Sequence, residues 1–177
     1  PAGTADRPYY FPDDLTDKAV EWLHAVRAQD PHKPWMMYYS TGATHAPHHV
    51  PAEFIARYKG QFDQGWDRLR EATLAQQIKM GVVPAGTKLT ARPAEIPAWD
   101  SLSPEEKRLF TRQMETFAGF AEHTDLEVGR LVQAIEEMGQ MENTLFIYVV
   151  GDNGASAEGG PSGSFNEMLA LNGIVSD

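Results

Sequence analysis

Apolar positions along this chain fall alternately into helical stripes and short unbroken runs. After an opening loop, residues 1–12, with an aromatic cluster at Tyr9, Tyr10 and Phe11 suited to docking, Leu15, Ala19, Val20, Leu23 and Val26 recur at helical spacing. This predicts a helix from about Thr16 to Gln29, with Thr16 as N-cap, Asp17 in the first turn and Pro31 ending it. Trp35, Met36, Met37, Tyr38 and Tyr39 then form an unbroken apolar run that reads as a buried strand. From Pro51 to about Ile78 the pattern is mixed helix, carried by Phe54, Ile55, Tyr58, Trp66, Leu69, Leu74 and Ile78 and interrupted at Lys59-Gly60 and Gly65.

Residues 81–99 hold Pro84, Pro93, Pro97, Gly81 and Gly86, so an extended surface excursion is expected at about 81–100. It reads either as a packed surface meander or as a substrate-facing arm. Ser103-Pro104-Glu105-Glu106 is a helix start, with serine at the N-cap, proline at the first position and glutamate placed for a capping box. Phe110, Met114, Phe117, Ala121, Val128, Leu131 and Ile135 continue that helix to Met138, with Gly139 as the residue after its C-cap. Leu145 to Val150, LFIYVV, is uncharged, β-branched and aromatic, and reads as a strand buried on both faces.

Helix, strand, helix, strand is the rhythm of an α/β fold, and strands of this kind belong to parallel sheets covered by helices. Ligands of such sheets bind beyond the carboxyl ends of the strands. Gly151, Asp152 and Asn153 follow the second run, where a carboxylate and an amide could hold a hard cation. Alone, D-N-G after a strand is more often an ordinary tight turn. The first run leads into an irregular loop, residues 40–51, with His45, His48 and His49. If the strands are parallel, His45 and Asp152 share one sheet edge. The H-x-x-H-H spacing does not match a zinc motif, so one histidine is read as functional and two as background. His123, mid-helix, is read as a core or face histidine. The small residues 155–164 suit either a backbone approach to a ligand or a flexible loop.

With 177 residues, 42% of them hydrophobic and 23% charged, the chain has a globular composition. A net charge of -10 argues against nucleic acid as a partner. There is no cysteine, so a disulfide framework and a thiolate metal site are both excluded. No apolar run is long enough for a membrane-spanning helix, and the first residues, PAGTADRPYYF, do not read as a signal peptide. The start at Pro1 and the end at Asp177 suggest a piece of a larger protein.

The motifs PWMMYYSTGATHAPHHVP, YKGQFDQGWDRLREATLAQQIKMGVV and EEMGQMENTLFIYVVGDNGASAEGG, in that order, resemble the bacterial arylsulfatases of the formylglycine-dependent sulfatase family. That family belongs to the alkaline-phosphatase-like superfamily. The resemblance implies that residues 1–177 are the central portion of a catalytic domain, part of an alkaline-phosphatase-like sheet flanked by helices and incomplete in this chain. It assigns Asp152 and Asn153 to a calcium ion, magnesium being the weaker expectation, and gives Asp152 a second role as proton acceptor from the hydrated aldehyde nucleophile. It places His45 against the sulfate ester, where it assists the leaving oxygen. A nearby histidine and a hard cation would stabilise the charge that develops as a sulfate ester breaks.

The family's nucleophile, a cysteine or serine in C/S-x-P-x-R that becomes formylglycine, has no counterpart here. The aspartate pair completing the calcium site and a downstream lysine are likewise expected outside this chain. The resulting expectation is a fragment of a sulfuric ester hydrolase acting on small sulfate esters, inactive alone and needing the remainder of its domain. A phosphomonoester, phosphodiester or phosphonate hydrolase of the same superfamily is the alternative, and a non-catalytic truncated product with exposed apolar surface is a third reading. Substrate, oligomeric state and compartment stay open.

Overall fold

Pro12 sits in the first turn of the first helix, where a missing backbone N–H costs nothing, and Asp13 and Asp14 lie at the positive end of the helix dipole. Helix α1 therefore spans Phe11–Gln29 and begins before the expected Thr16. Thr16 is a buried interior residue, not an N-cap. Its hydroxyl donates to the Pro12 carbonyl at 3.1 Å and lies 2.8 Å from the Tyr39 hydroxyl. The other α-helices of the described residues are α2 (Ala52–Arg57), α3 (Gly65–Met80) and α4 (Pro104–Glu137).

This computed structural model describes residues 8–151, together with 163, 168 and 172–174. It divides into two compact units, one of Pro1–His45 with Ala121–Ser156 and the other of Ala46–Phe120 with Ala157–Asp177. Helix α4 contributes its first part to the second unit and its last part to the first.

In the first unit, Leu23 of α1 packs with Leu131 and Ile135 of α4, and Ala19, Val20, Trp35, Met37, Tyr39, Met138 and Met141 close around them. Arg130 of α4 bonds Glu127 on its own helix and Asp17 on α1. Asp17 pairs with Arg130 and Leu23 with the next turn, so the two helices run side by side in the same direction. Gly139, with φ 65°, ends α4 as expected, and its N–H donates to Glu136 O at 2.8 Å.

Both expected strands depart from the reading. Residues 35–39 are extended and alternate: Trp35, Met37 and Tyr39 turn to the helices, while Met36 and Tyr38 are 83% and 86% exposed. They are covered on one face, not both. Leu145 to Val150 are all exposed, Leu145 by 86% and Val149 by 84%. No strand forms among the described residues. The cause is elementary: a strand exists only where a neighbour takes up its N–H and C=O groups, and nothing described here lies alongside to do so. No described helix is long and apolar enough to cross a membrane.

In the second unit, the expected breaks occur at Gly60 (φ 78°) and Gly65 (φ 74°). Gly65 does more than break a helix: a Cβ there would lie 2.1 Å from the Trp99 ring, so only glycine lets α3 start beneath that indole. At Gly119 a Cβ would meet the backbone of Phe54 and Ile55 at 2.9 Å, which fixes where α2 crosses α4. Residues 84–97 are mostly exposed and are tied to α3 by polar bonds. Asp67 accepts from Trp99 N–H at 2.9 Å and pairs with Arg92 at 2.8 Å, and these bonds hold its carboxyl below the ordinary carboxylate value. Trp66 Nε1 donates to Pro97 O, and Arg70 to Thr90 O. The capping box of α4 is formed: Glu106 N–H donates to Ser103 Oγ at 3.2 Å, and the Glu106 carboxylate accepts from Ser103 N–H at 2.8 Å.

Two substitutions test this packing. Leu23→Ala removes a fully buried side chain and is expected to cost about 2–5 kcal/mol in denaturant unfolding. Gly65→Ala is expected to destabilise more than Gly81→Ala, by about 1–3 kcal/mol. Both glycines have φ of 74°, but a Cβ at Gly81 meets nothing within 4 Å, so the difference isolates the Trp99 clash.

Candidate functional site

The loop after residues 35–39 is held by short-range bonds. Thr41 Oγ1 accepts from Ala43 N–H at 3.1 Å, and His45 N–H donates to Gly42 O at 2.9 Å. The backbone of His45 is thus tied into a turn while the residue is exposed.

The other two histidines of the loop differ. His48 lies against the rings of Phe117 and Phe120, with centroids 5.8 and 6.2 Å away, so it packs on α4. His49 is exposed, its N–H donating to Pro47 O. Asp152 and Asn153, the expected metal ligands, lie outside the described residues. The proposed sharing of one sheet edge by His45 and Asp152 falls outside them as well.

A second group of side chains gathers within the first unit. His123 and Glu127 are one turn apart on α4, each 3% exposed, and Asp13 comes from the first turn of α1. One ligand-capable atom from each lies within 4.8 Å of the others. His123 Nε2 is 3.0 Å from Asp13 Oδ1, and Tyr10 meets the His123 ring edge-on at 5.1 Å. Burial, then the charges of Asp13 and Glu127, push the Tyr10 hydroxyl up to about 12, so it stays protonated at neutral pH. The sequence reading of His123 as a core histidine agrees with its burial. It missed the two carboxylates that face it. Glu127 was legible as the residue four positions on, whereas Asp13 is brought there only by the packing of α1 on α4.

The comparisons with known proteins agree with one another. A family model described as Sulfatase matches residues 2–173. An uncharacterized sulfatase of Schizosaccharomyces pombe is 30% identical over 151 residues, which cover 82% of this chain and 25% of the relative. An arylsulfatase of Klebsiella aerogenes is 26% identical over 148 residues, 84% of this chain and 31% of the relative. The chain thus spans between 25% and 31% of the length of these two relatives. With a family match over almost its whole length, the chain belongs to the sulfatase family.

Proposed function

We propose that this chain is the central portion of the catalytic domain of an arylsulfatase-like sulfuric ester hydrolase, acting on small sulfate esters. The observation that carries the reading is the family match over residues 2–173, supported by a relative named arylsulfatase. In this reading the formylglycine nucleophile lies outside the chain, which contains no cysteine. The polypeptide alone is therefore inactive and depends on the remainder of its domain.

Asp152 and Asn153 would hold a calcium ion, since a carboxylate and an amide carbonyl offer the oxygen donors a hard cation takes. When bound, that ion supplies positive charge for the sulfate oxygens. Asp152 also serves as a proton acceptor for the nucleophile. His45 gives a proton to the departing oxygen, and its exposed position on a bonded turn supports that role. Protonating the leaving oxygen matters most when the leaving alcohol is weakly acidic, because more negative charge then builds on it.

The test uses the longer sulfatase polypeptide containing this chain, with aryl sulfates and the matching aryl phosphates. Sulfate hydrolysis is expected to exceed phosphate hydrolysis. His45→Ala is expected to lower kcat by about 10²–10⁴-fold. The deficit should shrink as the leaving phenol becomes more acidic. Faster hydrolysis of the phosphates would favour a phosphate ester hydrolase instead, and a deficit independent of the leaving group would remove His45 from that role.

A further inference from the structure

We propose that Asp13, His123 and Glu127 form a binding site for a divalent transition-metal ion, with zinc the best match to their chemistry. The site draws on both helices of the first unit, two ligands from α4 and one from α1. A histidine and a glutamate four residues apart present their side chains to the same side of a helix, the arrangement a metal needs from one element. The third ligand completes a set of one nitrogen and two carboxylates, which leaves a tetrahedral ion one further position.

The geometry at Asp13 is the independent observation. Its Oδ1 is buried and engaged in no hydrogen bond, although His123 Nε2 is only 3.0 Å away. A histidine–aspartate pair built for itself would align a proton along that short contact. Two donor atoms brought together without such alignment are placed as neighbouring ligands of one ion are placed. Glu127, also buried, lies in the same group and pairs with Arg130 on its own helix.

The surrounding charges favour a cation. Asp13, Asp17 and Glu127 are the carboxylates, and Arg130 is the cation that bonds Asp17 and Glu127. A carboxylate has two oxygens, so Glu127 is able to keep its arginine and ligate an ion as well. Glu127 is buried, where a charge is costly unless it is compensated. Calcium is a poor match, because it takes six to eight oxygen ligands and has no preference for imidazole.

The experiment is calorimetric titration of the 177-residue chain with zinc, and optical titration with cobalt(II), whose visible bands report tetrahedral coordination. Folding of each variant is checked by circular dichroism. One ion per chain is expected, with at least a tenfold loss of affinity in Glu127→Gln and in Asp13→Asn, no competition from calcium, and no change in His49→Ala. Asp13 is partly exposed, so its substitution keeps the test usable should Glu127→Gln disturb the Arg130 pairing. The proposal is overturned if the folded chain binds no zinc, if binding survives both substitutions, or if His49→Ala abolishes it and so places the metal on the histidine loop.

Discussion

The contact of Leu23 with Leu131 and Ile135 is the constraint on which the first unit depends. It fixes α1 beside the last part of α4, and everything else there follows from the register. Thr16 comes under Tyr39, Asp17 meets Arg130, and Asp13 reaches the turn of α4 that carries His123 and Glu127. The apolar contact supplies the stability, since the polar groups beside it gain little net energy from being buried together. Because Leu23 has no exposed surface, a shift of α1 along α4 would open a cavity and separate the three candidate ligands at the same time.

The second unit depends on a different device, the absence of a side chain. Glycine at position 65 admits the Trp99 ring, and glycine at position 119 admits the backbone of α2. Once Trp99 is seated, its N–H meets Asp67, and the proline-bearing meander is tied to α3 at both Asp67 and Arg70. The proline- and glycine-bearing segment is in this way held by polar bonds to one helix face.

How much of this was legible depended on how local the cause was. The capping box at Ser103, the stop at Gly139 and the breaks at Gly60 and Gly65 are decided within a few residues, and they formed where the sequence placed them. The start of α1 was misread because Thr16 looked like a cap, when Pro12 was the better signal for a first turn. The Asp13, His123 and Glu127 group was only half legible, since no pattern in the sequence links α1 to α4. The two apolar runs were read as strands from composition, which describes what a segment suits and not whether a neighbour is present to pair with it. His45 is an exposed residue on a loop, as expected, while Asp152 and Asn153 fall outside the described residues.

Those apolar runs bear on the central proposal, that this sulfatase-family segment belongs to an α/β sheet completed by the rest of the domain. Met36, Tyr38 and Leu145 to Val150 present an apolar surface of the kind that marks an interaction site when it is contiguous. The most direct measurement is amide hydrogen exchange at Leu145 to Val150, in the 177-residue chain and in the longer sulfatase polypeptide. The account predicts fast exchange in the short chain and strong protection in the longer one, as paired strand amides show. Fast exchange in both would contradict it, because the segment would then be no strand of any sheet.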